Sequence, residues 1–172
     1  VLVREGKNDQ AVTLLARLGT LLRITLDQNR TPEVTLQQEI DFLEGYLEIQ
    51  QARFCDRLRV TIDIPAELRS ARIPNLLLQP LVENAILHGV APKSEPGHVH
   101  ITGHREGDVL HLEISDDGPG LPREGAVRPS EGIGLANTRE RLTKIYGTHG
   151  RLMLLSEPGR GVTVQILMPL RT

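Results

Sequence analysis

At Arg57 the spacing of apolar residues changes from helical to alternating, and that change restricts the chain to an architecture in which helices precede and cover a sheet. Upstream, Leu14, Leu18, Leu21, Leu22 and Thr25 recur at helical spacing over residues 10–27, with Leu15 and Leu26 widening the stripe. Asn29-Arg30-Thr31-Pro32 breaks the pattern. Thr35, with Gln38 three residues on, then gives the capping-box signature of a second helix, whose face carries Leu36, Ile40, Leu43, Leu47 and Phe54 to about residue 54. Downstream, Leu58, Val60, Ile62 and Ile64 alternate with Arg59, Thr61 and Asp63, which predicts a half-buried strand ended by Pro65.

A further helix is expected over about 74–89, with Pro74 in its first turn and Pro80 either kinking it or delaying its start. Residues 99–104 and 109–115 alternate as two strands joined at Glu106-Gly107-Asp108. Residues 117–132 hold four Gly and three Pro and predict a long loop. A helix over 134–146, ended by Gly147, leads to two closing strands, 151–156 and 162–168, on either side of Pro158-Gly159-Arg160-Gly161. Two helices followed by β-α-β-β-loop-α-β-β predict an α+β sandwich, one sheet covered on one face by helices.

Composition narrows the function. The 172 residues are 39% hydrophobic, enough for a buried core. With Phe42, Tyr46, Phe54 and Tyr146 as the only aromatics, the core is built from Leu, Ile and Val. The same scarcity, with a net charge of −2, argues against a nucleic-acid partner, which wants stacking platforms and a basic field. Cys55 is the sole cysteine and is expected to pack at a helix end. No apolar run approaches the roughly 20 residues of a membrane span. The chain starts without Met or a signal peptide, so it reads as a fragment, any membrane anchor lying upstream.

Three short motifs carry the chemistry in order. Asn84 and His88 share a helix face, and an Asn carbonyl oxygen is a hard neutral ligand suited to Mg²⁺. Asp116 ends a strand before Gly118 and Gly120, where a carboxylate accepts from an exocyclic amine such as that of adenine and the glycines admit a flat base. Gly132-Ile133-Gly134 opens a helix whose N-terminal amides suit phosphate, although Asn137 in place of a third glycine rules out a dinucleotide fingerprint. His98 and His100 share a strand face but lack a third ligand at metal spacing.

The wording around these motifs is more specific than the motifs. Leu78-Gln79-Pro80-Leu81-Val82-Glu83-Asn84-Ala85, Gly134-Leu135-Ala136-Asn137-Thr138-Arg139-Glu140-Arg141-Leu142 and Tyr46-Leu47-Glu48-Ile49-Gln50-Gln51-Ala52-Arg53-Phe54 resemble sensor histidine kinases of the autolysin-sensor (Lyt) type, within the superfamily that groups gyrase, Hsp90, MutL and histidine kinases. The resemblance implies a two-layer α/β sandwich (the Bergerat ATP-binding fold) with a mixed sheet over 55–172, preceded by part of a helical dimerisation hairpin over 1–54. It implies ATP and Mg²⁺ as cofactors, with Asn84 on the metal, Asp116 on adenine, Gly118 and Gly120 shaping the base pocket, Gly132 and Gly134 at the phosphates, and 117–132 as a lid. His88, Leu135, Arg139 and Thr163 complete the candidate set. A response-regulator protein and, in the full-length protein, a second copy are the implied partners, and a cytoplasmic location is implied for this portion.

Departures from that pattern are equally specific. The family's phosphoacceptor His, in a His-Phe-Leu-Phe-Asn context, is missing, and the chain is expected to begin just after it. Leu87 stands where relatives often carry Lys or Arg, and Val162 stands where Thr is usual, with Thr163 next to it. Relatives that hydrolyse ATP place a general-base Glu four residues before the metal-binding Asn; that position is Pro80 here. Glu83 lies about 100° round the helix from Asn84. It is therefore a poor hydrolytic base. Kinase chemistry is favoured, with an ATPase or a non-catalytic nucleotide-binding module as alternatives.

Overall fold

The structure, a computed structural model, describes residues 32–121 and 133–172. The first expected helix, Gly132 and most of the expected lid lie outside the described residues. Elements run β1 (Glu33–Thr35), α1 (Leu36–Phe54), β2 (Leu58–Asp63), β3 (Arg72–Pro74), α2 (Gln79–Asn84, continuing as a π-helical run Ala85–Val90), β4 (Gly97–Glu106), β5 (Val109–Asp116), α3 (Ile133–Tyr146), β6 (Arg151–Ser156) and β7 (Val162–Pro169).

α1 starts where its capping box predicts. The Thr35 hydroxyl accepts from the Gln38 N–H at 3.2 Å and the Gln38 side chain accepts from the Thr35 N–H at 2.9 Å. Both donors would otherwise be orphans of the first turn. Thr35→Ala is expected to cost about 1 kcal/mol, a fall in melting temperature of about 2–4 °C by calorimetry. At its other end α1 closes on Cys55, whose φ is +54°. Cys55 is exposed there, not packed as expected, since it lies past the last residue of α1, where the backbone leaves helical geometry.

The main sheet has the order β2-β4-β5-β7-β6. β2 pairs parallel with β4, and every other pair is antiparallel, so the sheet is mixed. A parallel pair requires a crossover, and α2 is part of that crossover. Alternation separates the two faces: Leu58, Val99, Ile101, Leu110, Leu112, Ile114, Val164 and Ile166 are buried under the helices, while Arg59, Thr61, His98, His100 and His104 are exposed on the other side. His98 stacks on His100 at 5.9 Å between centroids and shares a hydrogen bond with the Thr61 hydroxyl at 2.8 Å. The core is continuous, and α1 contributes Leu36, Ile40, Leu43 and Leu47 to it.

One expected boundary is wrong. Pro74 does not begin a helix; Arg72–Pro74 forms a two-stranded ladder with Glu33–Thr35, pairing Val34 with Ile73. The helix begins only at Gln79, with Pro80 in its first turn. Ile73 precedes a proline and is driven to extended backbone, Leu76 has φ +54°, and Pro80 has no N–H to give beyond a first turn. Of the two expected effects of Pro80, the delayed start is the one observed.

Candidate functional site

Asp116 follows Ile114 by two residues, so alternation sends its side chain to the helix-covered face, at the end of β5. There it lies against the π-helical run. A Cβ on Gly89 would fall 2.4 Å from Asp116 Oδ1, and one on Gly118 would fall 2.4 Å from the Gly89 Cα and 2.7 Å from the same carboxylate oxygen. No side chain fits at either position. The Gly118 N–H donates to Asp116 Oδ1 at 2.9 Å, and the Val162 amide also donates to the carboxylate. Burial pushes the Asp116 carboxyl above its ordinary value, Asp117 adds to the rise, and the Gly118 and Val162 amides and Lys93 pull against it. Asp117 does a different job. Although burial opposes it, the His98 amide and the Lys93 ammonium, 2.9 Å away, hold its carboxyl below the ordinary value.

Asn84 ends the α-helical part of α2, and from Ala85 the run closes i→i+5, as in the bond from the Ala91 N–H to the Ile86 carbonyl. Such π turns inside α-helices occur frequently at functional sites. Residues five apart come nearly into line in this geometry, so Asn84 and the Gly89 that touches Asp116 lie toward one side of one helical run. The Asn84 amide nitrogen is buried and has no hydrogen-bond partner. The first turn of α3 closes the same side: a Cβ on Gly134 would lie 3.4 Å from Pro80 Cβ and 3.8 Å from Asn84 Nδ2. The Thr138 hydroxyl braces that turn by donating to the Gly134 carbonyl at 2.8 Å.

Asn84, Asp116, Gly118 and Gly134 are therefore brought to one end of the helix layer. Gly120, with φ +70°, runs along the 157–161 turn, where its Cβ would lie 2.3 Å from the Glu157 carbonyl oxygen. Leu135 is buried, so its side chain belongs to the core and its backbone to the turn. His88 is exposed, beside Leu87, which is 59% exposed.

Other candidates are turned elsewhere. Thr163 pairs with Ser115 and Leu155, and alternation with buried Val164 sends its hydroxyl to the outer face, away from Asp116. It does not replace the missing hydroxyl at position 162; the Val162 backbone amide is the group that meets the carboxylate. Arg139 Nη1 donates to the Leu152 carbonyl at 2.7 Å, and Arg141 Nη1 donates to the Asn75 carbonyl, so both guanidinium groups tie α3 to neighbouring backbone. Glu83 accepts from Gln79 Nε2 at 2.8 Å on the side of α2 that faces α1. Burial, with the Glu83 charge, pushes the Tyr46 hydroxyl up to about 12 there.

Sequence reasoning missed Gly89 and Gly161 as walls of the carboxylate's niche, and it missed Glu39. A Cβ on Gly161, at φ +77°, would lie 1.8 Å from the Asp116 carbonyl oxygen. The signal for Gly89 was its place at the end of the Asn84–Gly89 motif. For Gly161 it was the Gly-x-Gly turn ahead of the last strand.

The residues present fit a magnesium nucleotide. The orphaned atom is the Asn84 amide nitrogen, a donor; turning the amide by half a rotation exchanges it for the oxygen, which suits a hard cation. The carboxylate beside two side-chain-free positions suits a planar base with an amine on its edge.

Comparison with known proteins shows the family. Residues 70–172 match the family described as "Histidine kinase-, DNA gyrase B-, and HSP90-like ATPase", and residues 1–58 match one described as "Histidine kinase". The chain belongs to the histidine kinase, gyrase B and HSP90-like ATPase family. It is 34% identical over 173 residues to the sensor histidine kinase YesM of Bacillus subtilis, covering 99% of this chain and 30% of that protein. It is 37% identical over 164 residues to BtsS of Escherichia coli (95% and 28% covered) and 30% identical over 174 residues to the sensor protein LytS of Staphylococcus epidermidis (96% and 29%). The chain thus spans under a third of the length of these relatives. Among solved structures, the catalytic domain of the histidine kinase ThkA superposes with a TM-score of 0.61 at 19% identity, covering 80% of this chain and 94% of that one. The histidine kinase AdeS of Acinetobacter baumannii superposes at 0.60 and 20% identity, covering 100% and 85%. The fold is that of histidine kinase catalytic domains.

Proposed function

We propose that this chain is the ATP-binding catalytic part of a two-component sensor protein-histidine kinase, with residues 55–172 holding the nucleotide and residues 1–54 forming part of a dimerisation hairpin. The observation that carries the reading is the half-buried Asp116 carboxylate, set against Gly118 and against Gly89 of the helical run that also bears the unpartnered Asn84 amide nitrogen. Asp116 accepts from the adenine amine, and the Gly118 and Gly120 backbone lines the base. Asn84 Oδ1 holds Mg²⁺, which supplies charge neutralisation on the phosphate oxygens when bound. Gly132 and Gly134 are assigned to the phosphates, as the N-terminus of α3 favours anions.

In this reading the γ-phosphate passes to a His outside this chain and then to an Asp of a response regulator, with the full-length protein acting as a homodimer. This portion is cytoplasmic, anchored through segments beyond it; no described helix is long and apolar enough to cross a membrane. Hydrolysis is disfavoured because Pro80 occupies the position of a water-activating Glu, and Glu83 is tied to Gln79.

Incubation of the purified chain with ATP and Mg²⁺ tests this. The expected result is binding, little phosphate release and no self-labelling, with labelling restored when the full-length protein supplies the acceptor His. Asn84→Ala is expected to remove about tenfold of affinity, only when Mg²⁺ is present, by titration calorimetry. Rapid turnover that survives Glu83→Ala would overturn the kinase reading in favour of an ATPase.

A further inference from the structure

Among the described residues, the most deeply buried carboxylate outside the site is Glu39, 2% exposed, in the first turn of α1 on its buried face. It does not pair with a neighbouring side chain on its own helix. Oε1 accepts the Leu76 N–H at 2.6 Å and Oε2 accepts the Leu78 N–H at 2.9 Å, with the Leu77 amide also donating to the carboxylate. Burial pushes the Glu39 carboxyl up, those three amides pull it down, and the Arg141 charge adds to their pull. The segment it holds is an elbow: Leu76 has φ +54°, and Leu78 is the residue from which α2 departs. From the opposite side, α3 grips the same elbow through Arg141 on the Asn75 carbonyl. Six residues after Leu78, the helix delivers Asn84 to the first turn of α3.

We propose that Glu39 is a positioning residue that sets where Asn84 stands, so that α1 controls the metal-dependent part of nucleotide binding and leaves the base pocket alone. Asp116 rides on the sheet, and its niche is built by Gly118, Gly161 and Val162, with Gly89 as the one wall on the helical run, farther from the elbow than Asn84. Neither Asp116 nor these neighbours touch the Glu39 elbow. Asn84, by contrast, is joined to the elbow through less than two turns of helix. A carboxylate suits the task because it satisfies several convergent amides at once. An apolar side chain in its place would leave them unpaired in the core. Any displacement of α1 along its axis pulls on the elbow through these bonds, and the motion reaches the metal ligand first.

The inference rests on the assignment of Asn84 to Mg²⁺, and the test separates the two. ATP is titrated with and without Mg²⁺ into the wild-type chain, Glu39→Gln and Asn84→Ala. Glu39→Gln is expected to bind metal-free ATP within twofold of wild type and to lose a threefold or larger part of the enhancement that Mg²⁺ brings, approaching the loss in Asn84→Ala. If Glu39→Gln does not fold, Glu39→Asp takes its place in the same titrations; it keeps the charge but withdraws it by one methylene, and an intermediate loss of the Mg²⁺ enhancement is expected. An unchanged enhancement in the Glu39 variant, while Asn84→Ala abolishes it, overturns the positioning role. Equal weakening of metal-free and metal-bound ATP also overturns it, since that is the mark of a merely structural residue. If Asn84→Ala keeps the enhancement, the metal assignment itself is wrong.

Discussion

Asp116→Asn will weaken ATP binding by about 10- to 100-fold while leaving the fold intact, as read by titration calorimetry beside thermal melts. The factor follows from losing a charge-assisted hydrogen bond, worth about 1.5–3 kcal/mol. Asparagine cannot substitute, because Asp116 already accepts from the Gly118 and Val162 amides. An amide whose oxygen serves those donors turns its NH₂ toward the adenine amine, donor against donor. An amide turned the other way leaves buried N–H groups facing N–H.

The same carboxyl gives a pH dependence of known sign. Its value in the folded chain is raised by burial, so the folded state binds its proton more readily than the unfolded one. The contribution to stability is therefore complete below the ordinary carboxylate value and is lost as pH rises through the raised value. Asp116→Asn removes that slope and leaves the nucleotide-free chain equal or higher in melting temperature at neutral pH. Affinity for ATP has the opposite trend in wild type. The ionised form is the acceptor, so binding weakens as pH falls toward the raised value.

Among the described glycines, Gly161→Ala is expected to be the most damaging added methyl. Its φ of +77° is in the region that side chains avoid, and the added Cβ would lie 1.8 Å from the Asp116 carbonyl oxygen. Backbone strain alone costs about 1–3 kcal/mol. Displacing a strand end in addition brings the total to about 3 kcal/mol or more, a fall of about 6–12 °C in melting temperature. Gly159→Ala is the control. It has a similar φ of +81° but nothing within 4 Å of its Cβ, so it carries the strain without the clash, should lose clearly less in melting temperature than Gly161→Ala and keeps its nucleotide affinity, whereas Gly161→Ala loses affinity as Asp116 and Val162 shift. Equal losses in the two variants would show that the close approach to Asp116 carries no weight.

These residues also show what the sequence made legible. The Thr35 capping box and the alternating strands were readable because their determinants lie within a few residues of one another. Alternation even assigns Asp116 to the helix-covered face, since Leu110, Leu112 and Ile114 precede it at the same period. The ladder of Glu33–Thr35 with Arg72–Pro74 was not readable: three residues carry no period, and the partner lies far along the chain. The late start of α2 depended on a positive φ at Leu76 that no glycine announces. The partners of Arg139 and Arg141 were not readable because a guanidinium's partners are set by tertiary packing, here the Leu152 and Asn75 carbonyls. Thr163 was misplaced by one residue, which in a strand is a change of face. Glu39 did leave a mark, an acid on the stripe between Leu36 and Ile40, where a solvated surface residue does not belong.

The convergence of Asn84 and Asp116 on one nucleotide is tested most directly by a crystal structure of the chain with a non-hydrolysable ATP analogue and Mn²⁺, the metal located by its anomalous signal. The expected result is a manganese peak at coordination distance, about 2.1 Å, from Asn84 Oδ1, with the adenine amine in hydrogen-bond reach of the Asp116 carboxylate. A metal held without Asn84, or a base seated away from Asp116, would contradict it.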